Sequence, residues 1–225
     1  FAKIKFVFEN QTSENLNPEQ KVLLKETYEY YVRNGANLST EDKEKLRTID
    51  TKLSKNSLDY SQNVLKEVST YEKHITDESD LAGLPEGERD AAAMTAKQKG
   101  KTGWVFTLNA PSVTSFLKYA DKRELRKEIH KAYSTRGSKG NQQDNQNIVK
   151  EILTSRNKRA KLLGYKSHAD FVLENQMASN IETVNNFLAD LLDKSKPFAE
   201  KEHKQLQEFA TSIGGPDILE YYDSA

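Results

Sequence analysis

From Ser39 onward the sequence commits to one long helix. Asp42 lies three residues after Ser39 in the arrangement of a capping box, with Asp in place of the usual Glu or Gln. The apolar positions that follow, Leu46, Ile49, Leu53, Tyr60, Val64 and Val68, keep a 3-4-7-4-4 spacing, which places them on one helix face. An apolar stripe of that length must be covered, so the segment demands a helical partner. Other segments offer one. Asn17 before Pro18 suits an N-cap and first helical position, and Leu24, Tyr28, Tyr31 and Val32 mark a face up to Gly35. Asp121 with Glu124 predicts another capped start, carrying Leu125, Ile129 and Tyr133. Asp144 is expected to open a helix bearing Ile148, Ile152 and Leu163, and Ser167 with Asp170 a short one. The last and most amphipathic helix carries Ile181, Val184, Phe187, Leu188, Leu191 and Leu192, then Phe198, Leu206 and Phe209. Pro197 removes an amide from this helix, which predicts a kink or two helices there, and a kink is the expectation.

The middle of the chain differs. Asp77 to Leu84 is acidic and turn-prone, and Pro85 to Lys99 is an Ala-rich helix closing on Gly100. Gly103-Trp104-Val105-Phe106-Thr107-Leu108 is short, apolar, β-branched and aromatic, and is bounded by turn residues, the marks of a strand. Residues 71–75 are the segment to pair with it, through a helical connection and not a tight hairpin. The fold class expected is mainly α, a bundle of long antiparallel helices with a small strand element around 71–75 and 103–108.

Charge and composition remove several functions. The 34 basic and 34 acidic residues cancel, so no bulk field draws the chain to nucleic acid or an anionic membrane. With no cysteine, disulfides, thiolate nucleophiles and cysteine zinc sites are excluded. No window approaches the ~18 consecutive apolar residues of a membrane helix. Neither nucleic acid nor a membrane is an expected partner. The 225 residues, 36% hydrophobic, are enough for one large domain or two small ones.

Catalytic constellations are missing from the pattern. His74, His130, His168 and His203 are never four residues apart, so the HExxH arrangement that sets two zinc ligands on one helix face does not occur. Glu200 and His203 share a face but read as a solvated charged surface. Gly137-Ser138-Lys139-Gly140 lacks the spacing of a phosphate cradle. The basic runs at 122–127 and 156–159 are interrupted by acidic residues or lack an aromatic platform, and read as helix faces, not as an RNA surface. Trp104 in a short apolar strand supplies core area more often than it lines a ligand groove, and Tyr28, Tyr30, Tyr31, Tyr221 and Tyr222 read as packing residues with wetted hydroxyls. The residues themselves offer no catalytic and no metal-ligating candidate, and substrate-binding positions are unassigned.

Several stretches, taken in order, carry a family resemblance. They include Gly35-Ala36-Asn37-Leu38-Ser39, Ser61-Gln62-Asn63-Val64-Leu65, Thr76 to Pro85, Gly103-Trp104-Val105-Phe106-Thr107-Leu108 and Ala110-Pro111-Ser112. After them come Arg123-Glu124-Leu125-Arg126, Ala132-Tyr133, Lys161-Leu162-Leu163-Gly164-Tyr165, Ser167-His168-Ala169-Asp170 and Met177-Ala178. Together they resemble the thimet oligopeptidase, oligopeptidase A and peptidyl-dipeptidase family of zinc peptidases, with the leaning toward the bacterial peptidyl-dipeptidase branch. The resemblance implies an almost wholly helical protein split by a deep channel that admits short peptides. In it an HExxH helix and a later glutamate hold zinc, which polarises the scissile carbonyl and acidifies water. Those parts would lie C-terminal to this sequence. The expectation is therefore that residues 1–225 are the helical, non-catalytic N-terminal region of a larger zinc oligopeptidase, a substrate-channel wall truncated at both ends and inactive alone. Zinc would belong to the full-length parent and not to this fragment. Its partners would be short peptides and the catalytic half in cis, with self-association of the fragment once that half is missing. The alternative is a non-enzymatic helical protein-interaction module. The compartment is unassigned, a bacterial cytoplasm or periplasm fitting equally.

Overall fold

A computed structural model describes residues 1–10 and 15–223; Ser224 and Ala225, part of the C-terminal stretch read as a truncation, lie outside the described residues. The chain divides into two compact units, Phe1–Ser57 with Lys150–Asn186, and Leu58–Val149 with Phe187–Ala225. Its elements run α1 (Ala2–Glu9), α2 (Pro18–Arg33), α3 (Thr40–Thr70), β1 (Lys73–Ile75), a 3-10 turn (Glu78–Leu81), α4 (Glu86–Gln98), β2 (Trp104–Phe106), α5 (Ala110–Tyr119), α6 (Arg123–Ser134), α7 (Gln146–Leu162), α8 (His168–Leu173) and α9 (Ile181–Ser212). The fold is mainly α with a small strand element, as the sequence predicts. Among the described residues no helix is long and apolar enough to cross a membrane.

In the first unit, α2 starts where its caps dictate. Asn17 Oδ1 accepts the Gln20 amide at 2.8 Å while Gln20 Oε1 accepts the Asn17 amide at 3.0 Å, a complete capping box. Ser39 Oγ likewise accepts the Asp42 amide, at 3.1 Å. The reciprocal half differs: the shorter Asp42 carboxylate accepts from the Ser39 hydroxyl at 3.0 Å. Ser167 and Asp170 repeat this arrangement at α8. Phe8 of α1 stacks on Tyr28 of α2 with ring centroids 4.0 Å apart. The Arg159 guanidinium ties α7 to Asp50 of α3 at 2.8 Å and to Asn34 at 3.1 Å, and lies over the Phe171 ring of α8.

The second unit holds the apolar core. Strands β1 and β2 pair antiparallel, His74 opposite Val105, with α4 between them in the chain as expected. Gly103 enters β2 at φ 79°, where a Cβ would lie 2.4 Å from the Ile75 carbonyl oxygen, so both the turn and the close strand approach exclude a side chain. Beneath the strands, Phe106 meets Phe116 of α5 edge to face at 4.7 Å. Leu81, Leu108, Leu125 and Ile129 close around them, all buried. Trp104 packs against this core, half-buried, and serves the packing role foreseen for it.

Two helix starts differ from expectation. Asp121 does not cap α6; Lys122 holds the cap position without a side-chain bond. Tertiary contacts claim Asp121 instead, its amide donating to the Ala82 carbonyl at 2.9 Å and its carbonyl accepting from Arg126 at 3.0 Å. Asp144 braces α7 rather than beginning it, accepting the amides of Gln146 and Gly140 at 2.8 and 2.6 Å. Pro197 does not divide α9, which runs through it as one helix.

Candidate functional site

No catalytic or metal-ligating candidate came from the sequence, and among the described residues no three His, Asp or Glu side chains converge as a cation site. The histidines are scattered. His74 Nε2 bonds the Thr102 carbonyl at 2.7 Å, His130 stacks near Tyr221 and Tyr222, His168 stacks on Phe171, and His203 lies exposed on α9. Burial, with the Arg156 and Arg159 charges behind it, holds the His168 ring below the usual imidazole range. Glu200 is exposed and paired with Lys196 at 3.8 Å, and His203 is likewise exposed.

What stands out in the second unit is the face of α9. Phe187, Leu188, Leu191, Leu192, Phe198, Leu206 and Phe209, with Ile213 one residue past the helix end, are each between 50% and 69% exposed. At 100° per residue those on the helix fall within about 140° of its circumference. Ser195 and Glu202 interrupt this exposed apolar stripe; large exposed apolar surfaces are the kind that partners cover. The helix closes with Gly215 N donating to the Ala210 carbonyl at 2.7 Å and Gly214 N to that of Thr211 at 3.1 Å, a Schellman-type stop. The chain then turns back along the helix. Gln207 brackets the returning strand of chain, its Nε2 donating to the Pro216 carbonyl at 3.0 Å and its Oε1 accepting the Leu219 amide at 2.8 Å. Between α9 and this segment lie two clefts sharing Leu206 and Leu219. One, about 510 Å³, is lined also by Ala199, Glu202, His203, Glu220 and Tyr221. The other, about 270 Å³, has Phe209 and Ile213 on its wall, with Arg126 and Asp223 beside them.

Asp223 closes the segment onto α6. Its side chain is 3% exposed and lies between Arg123 and Arg126. Arg123 Nε and Nη2 approach the carboxylate at 2.8 to 3.2 Å, and Arg126 Nη2 at 2.8 Å. The Glu220 amide donates a further bond at 3.0 Å. Burial pushes the Asp223 carboxyl up, but the Arg123 guanidinium, the Glu220 backbone and Arg126 outweigh it and hold the group down to about 2. Lys122 pairs with Asp80. Lys122, Arg123 and Arg126 of the 122–127 run are thus paired within the protein.

A second buried carboxylate staples the loop after α6. Glu67 of α3, 5% exposed, accepts the Gly137 amide at 2.8 Å and Asn141 Nδ2 at 2.6 Å, with Lys139 at 3.4 Å. Burial raises the Glu67 carboxyl, yet Asn141, the Gly137 amide and Lys139 leave it below its ordinary value. Gly137 sits at φ 71°, and a Cβ there would lie 2.7 Å from Asn145 Nδ2, too close to fit. Asn145, 2% exposed, accepts from Asn63 at 2.9 Å and donates to the Tyr60 carbonyl at 3.2 Å. The 137–140 loop is thus tied to α3 through Glu67. Of the tyrosines, Tyr221 is 84% exposed and Tyr222 buried beneath Arg123. The sequence reading missed Asp223 and Glu67. The available signals were an Arg-x-x-Arg pair on one face of α6, and polar residues standing in the apolar stripe of α3.

Comparison with known proteins places this architecture. The model of peptidase family M3 matches residues 116–225. Oligopeptidase A of Salmonella typhimurium is 36% identical over 214 residues, 93% of this chain and 32% of its own length. The probable cytosolic oligopeptidase A of Arabidopsis thaliana is 32% identical over 99% of this chain and 33% of its own length. Dipeptidyl carboxypeptidase of Salmonella typhimurium is 25% identical over 99% of this chain and 33% of its own. The chain spans about a third of the length of the curated relatives it matches. The expected leaning toward the peptidyl-dipeptidase branch is corrected by these identities, which favour oligopeptidase A; the motifs quoted for the resemblance are too short to separate the two branches. Family model and curated relatives agree, and the chain belongs to peptidase family M3.

Proposed function

We propose that this chain is the helical, non-catalytic N-terminal region of a larger zinc metallopeptidase that hydrolyses short peptides, and that it forms a wall of the substrate channel there. The observation that carries the proposal is the exposed apolar face of α9, in a chain a third as long as its relatives. Eight large apolar side chains left half in water are a surface built to be covered. Their occupant is the catalytic remainder of the same polypeptide, to which zinc binding and the peptide-cleaving chemistry belong. Residues 1–225 alone are inactive and bind no zinc. Deprived of the remainder, the chain covers the α9 face with a second copy of itself.

Two measurements test this. The reading frame continued past Ala225 should contain HExxH within a few hundred residues. Calorimetric zinc titration should show one tight site in the longer protein and none in residues 1–225. Stoichiometric tight zinc in the short chain overturns the proposal. The same α9 face favours one other reading, a non-enzymatic module that binds a partner helix; a continued reading frame without HExxH would select it.

A further inference from the structure

The segment that turns back along α9 is held by charge and hydrogen bonds. Ile218 and Tyr221 are 69% and 84% exposed, Pro216 and Leu219 are half-buried, and Tyr222 is buried. What fastens the segment is the carboxylate of Asp223 between two guanidiniums, and the same arginines reach its backbone. Arg123 Nη2 donates to the Ile218 carbonyl at 3.1 Å and Arg126 Nε to the Tyr222 carbonyl at 3.0 Å. Arg126 Nη1 is anchored in turn on the carbonyls of Ala120 and Asp121, at 2.8 and 3.0 Å. With Gln207 gripping the other end, residues 216–223 are fixed at both ends while Ile218 and Tyr221 remain displayed.

We infer that Asp223 is a positioning residue: clamped by Arg123 and Arg126, it presets residues 216–223 as the rigid rim of the α9 face on which the peptidase part of the longer protein seats. This rests on the reading that such a part exists. A preset rim spares the docking step the cost of ordering that segment. A buried carboxylate gripped in a fork holds geometry more tightly than an amide can, because two charge-assisted bonds constrain direction as well as distance.

The test compares Asp223→Asn with Asp217→Asn, an equal change of charge on an exposed residue of the same segment. In this chain, Asp223→Asn should speed amide exchange at Leu219 and Glu220 about tenfold or more, while Asp217→Asn leaves it unchanged. In the longer protein, Asp223→Asn should lower kcat severalfold with KM within about twofold. Arg123→Lys, which keeps charge and loses the fork, should fall between. Unchanged exchange in Asp223→Asn refutes the clamp, and faster exchange with unchanged turnover refutes the positioning role. Should the longer wild-type protein cleave no peptide, the peptidase reading fails separately. The rim is then judged by amide protection of residues 199–213 in the longer protein over this chain: loss of that protection in Asp223→Asn supports it, and retention overturns it.

Discussion

Replacing Phe198 with Glu asks whether the α9 face is a contact surface or part of the core. Phe198 is 69% exposed, and its seven companions are at least half exposed. Full burial of a Leu or Phe side chain is worth about 1.5–3 kcal/mol, so covering the exposed share of all eight yields on the order of 10 kcal/mol. Association consumes about 4–15 kcal/mol of such a gain. With the cost near the lower end of that range, a net of about 4–5 kcal/mol corresponds to dimerisation in the range of about 0.1–1 mM. Phe198→Glu removes one contribution and places an unpaired carboxylate in the contact, weakening the dimer about tenfold or more. Because the side chain is mostly in water already, the midpoint of thermal unfolding should move by no more than about 2 °C. Sedimentation equilibrium over about 10 µM to 1 mM reads the first effect and calorimetry the second. A wild-type chain monomeric throughout, or a Phe198→Glu chain that dimerises unchanged, refutes the reasoning. So does a fall in the unfolding midpoint of about 10 °C, which would make the face part of the core.

Three further outcomes are expected. Phe116→Ala, emptying a fully buried site against Phe106, should cost about 3–5 kcal/mol in urea unfolding; a loss below about 1 kcal/mol would contradict the packing described. Glu67→Gln puts an NH2 in place of one carboxylate oxygen, so that a donor faces either Asn141 Nδ2 or the Gly137 amide with Lys139; this should cost about 1–3 kcal/mol, with faster amide exchange across 137–145. Asp223 titrates at about 2 when folded, against 3.8 ordinarily. Its depressed value means the clamp's contribution, of order 2 kcal/mol, is present above pH 4 and is lost as pH falls toward 2. The stability gap between wild type and Asp223→Asn should therefore be open at pH 5 and closed near pH 2; a constant gap would place the effect elsewhere.

Local chemistry was legible and distant pairing was not. The Asn17 and Ser167 caps, the β1–β2 pairing across α4 and the stripe of α9 follow from residues near one another in sequence. Asp121 misled because a cap is a local preference, and here the Ala82 carbonyl and Arg126 compete for its backbone and win. In α3 the seven-residue gap between Leu53 and Tyr60 is filled by Asn56, 7% exposed and bonded to Glu151 at 3.1 Å. Asn63 and Glu67 flank the same stripe. An apolar pattern passes over such positions, because their burial depends on partners that no spacing rule supplies. Asp223 is the extreme case: its arginines lie 97 and 100 residues away. Arg123-Glu124-Leu125-Arg126 stands out in the sequence, but only the fold joins it to Asp223.

The most direct test of the account is peptide hydrolysis measured side by side on residues 1–225 and on the longer protein, both supplied with zinc and given the same short peptides. Cleavage by the longer protein alone, with none by residues 1–225 at any concentration, is the predicted result. Turnover by residues 1–225 unaided would contradict it.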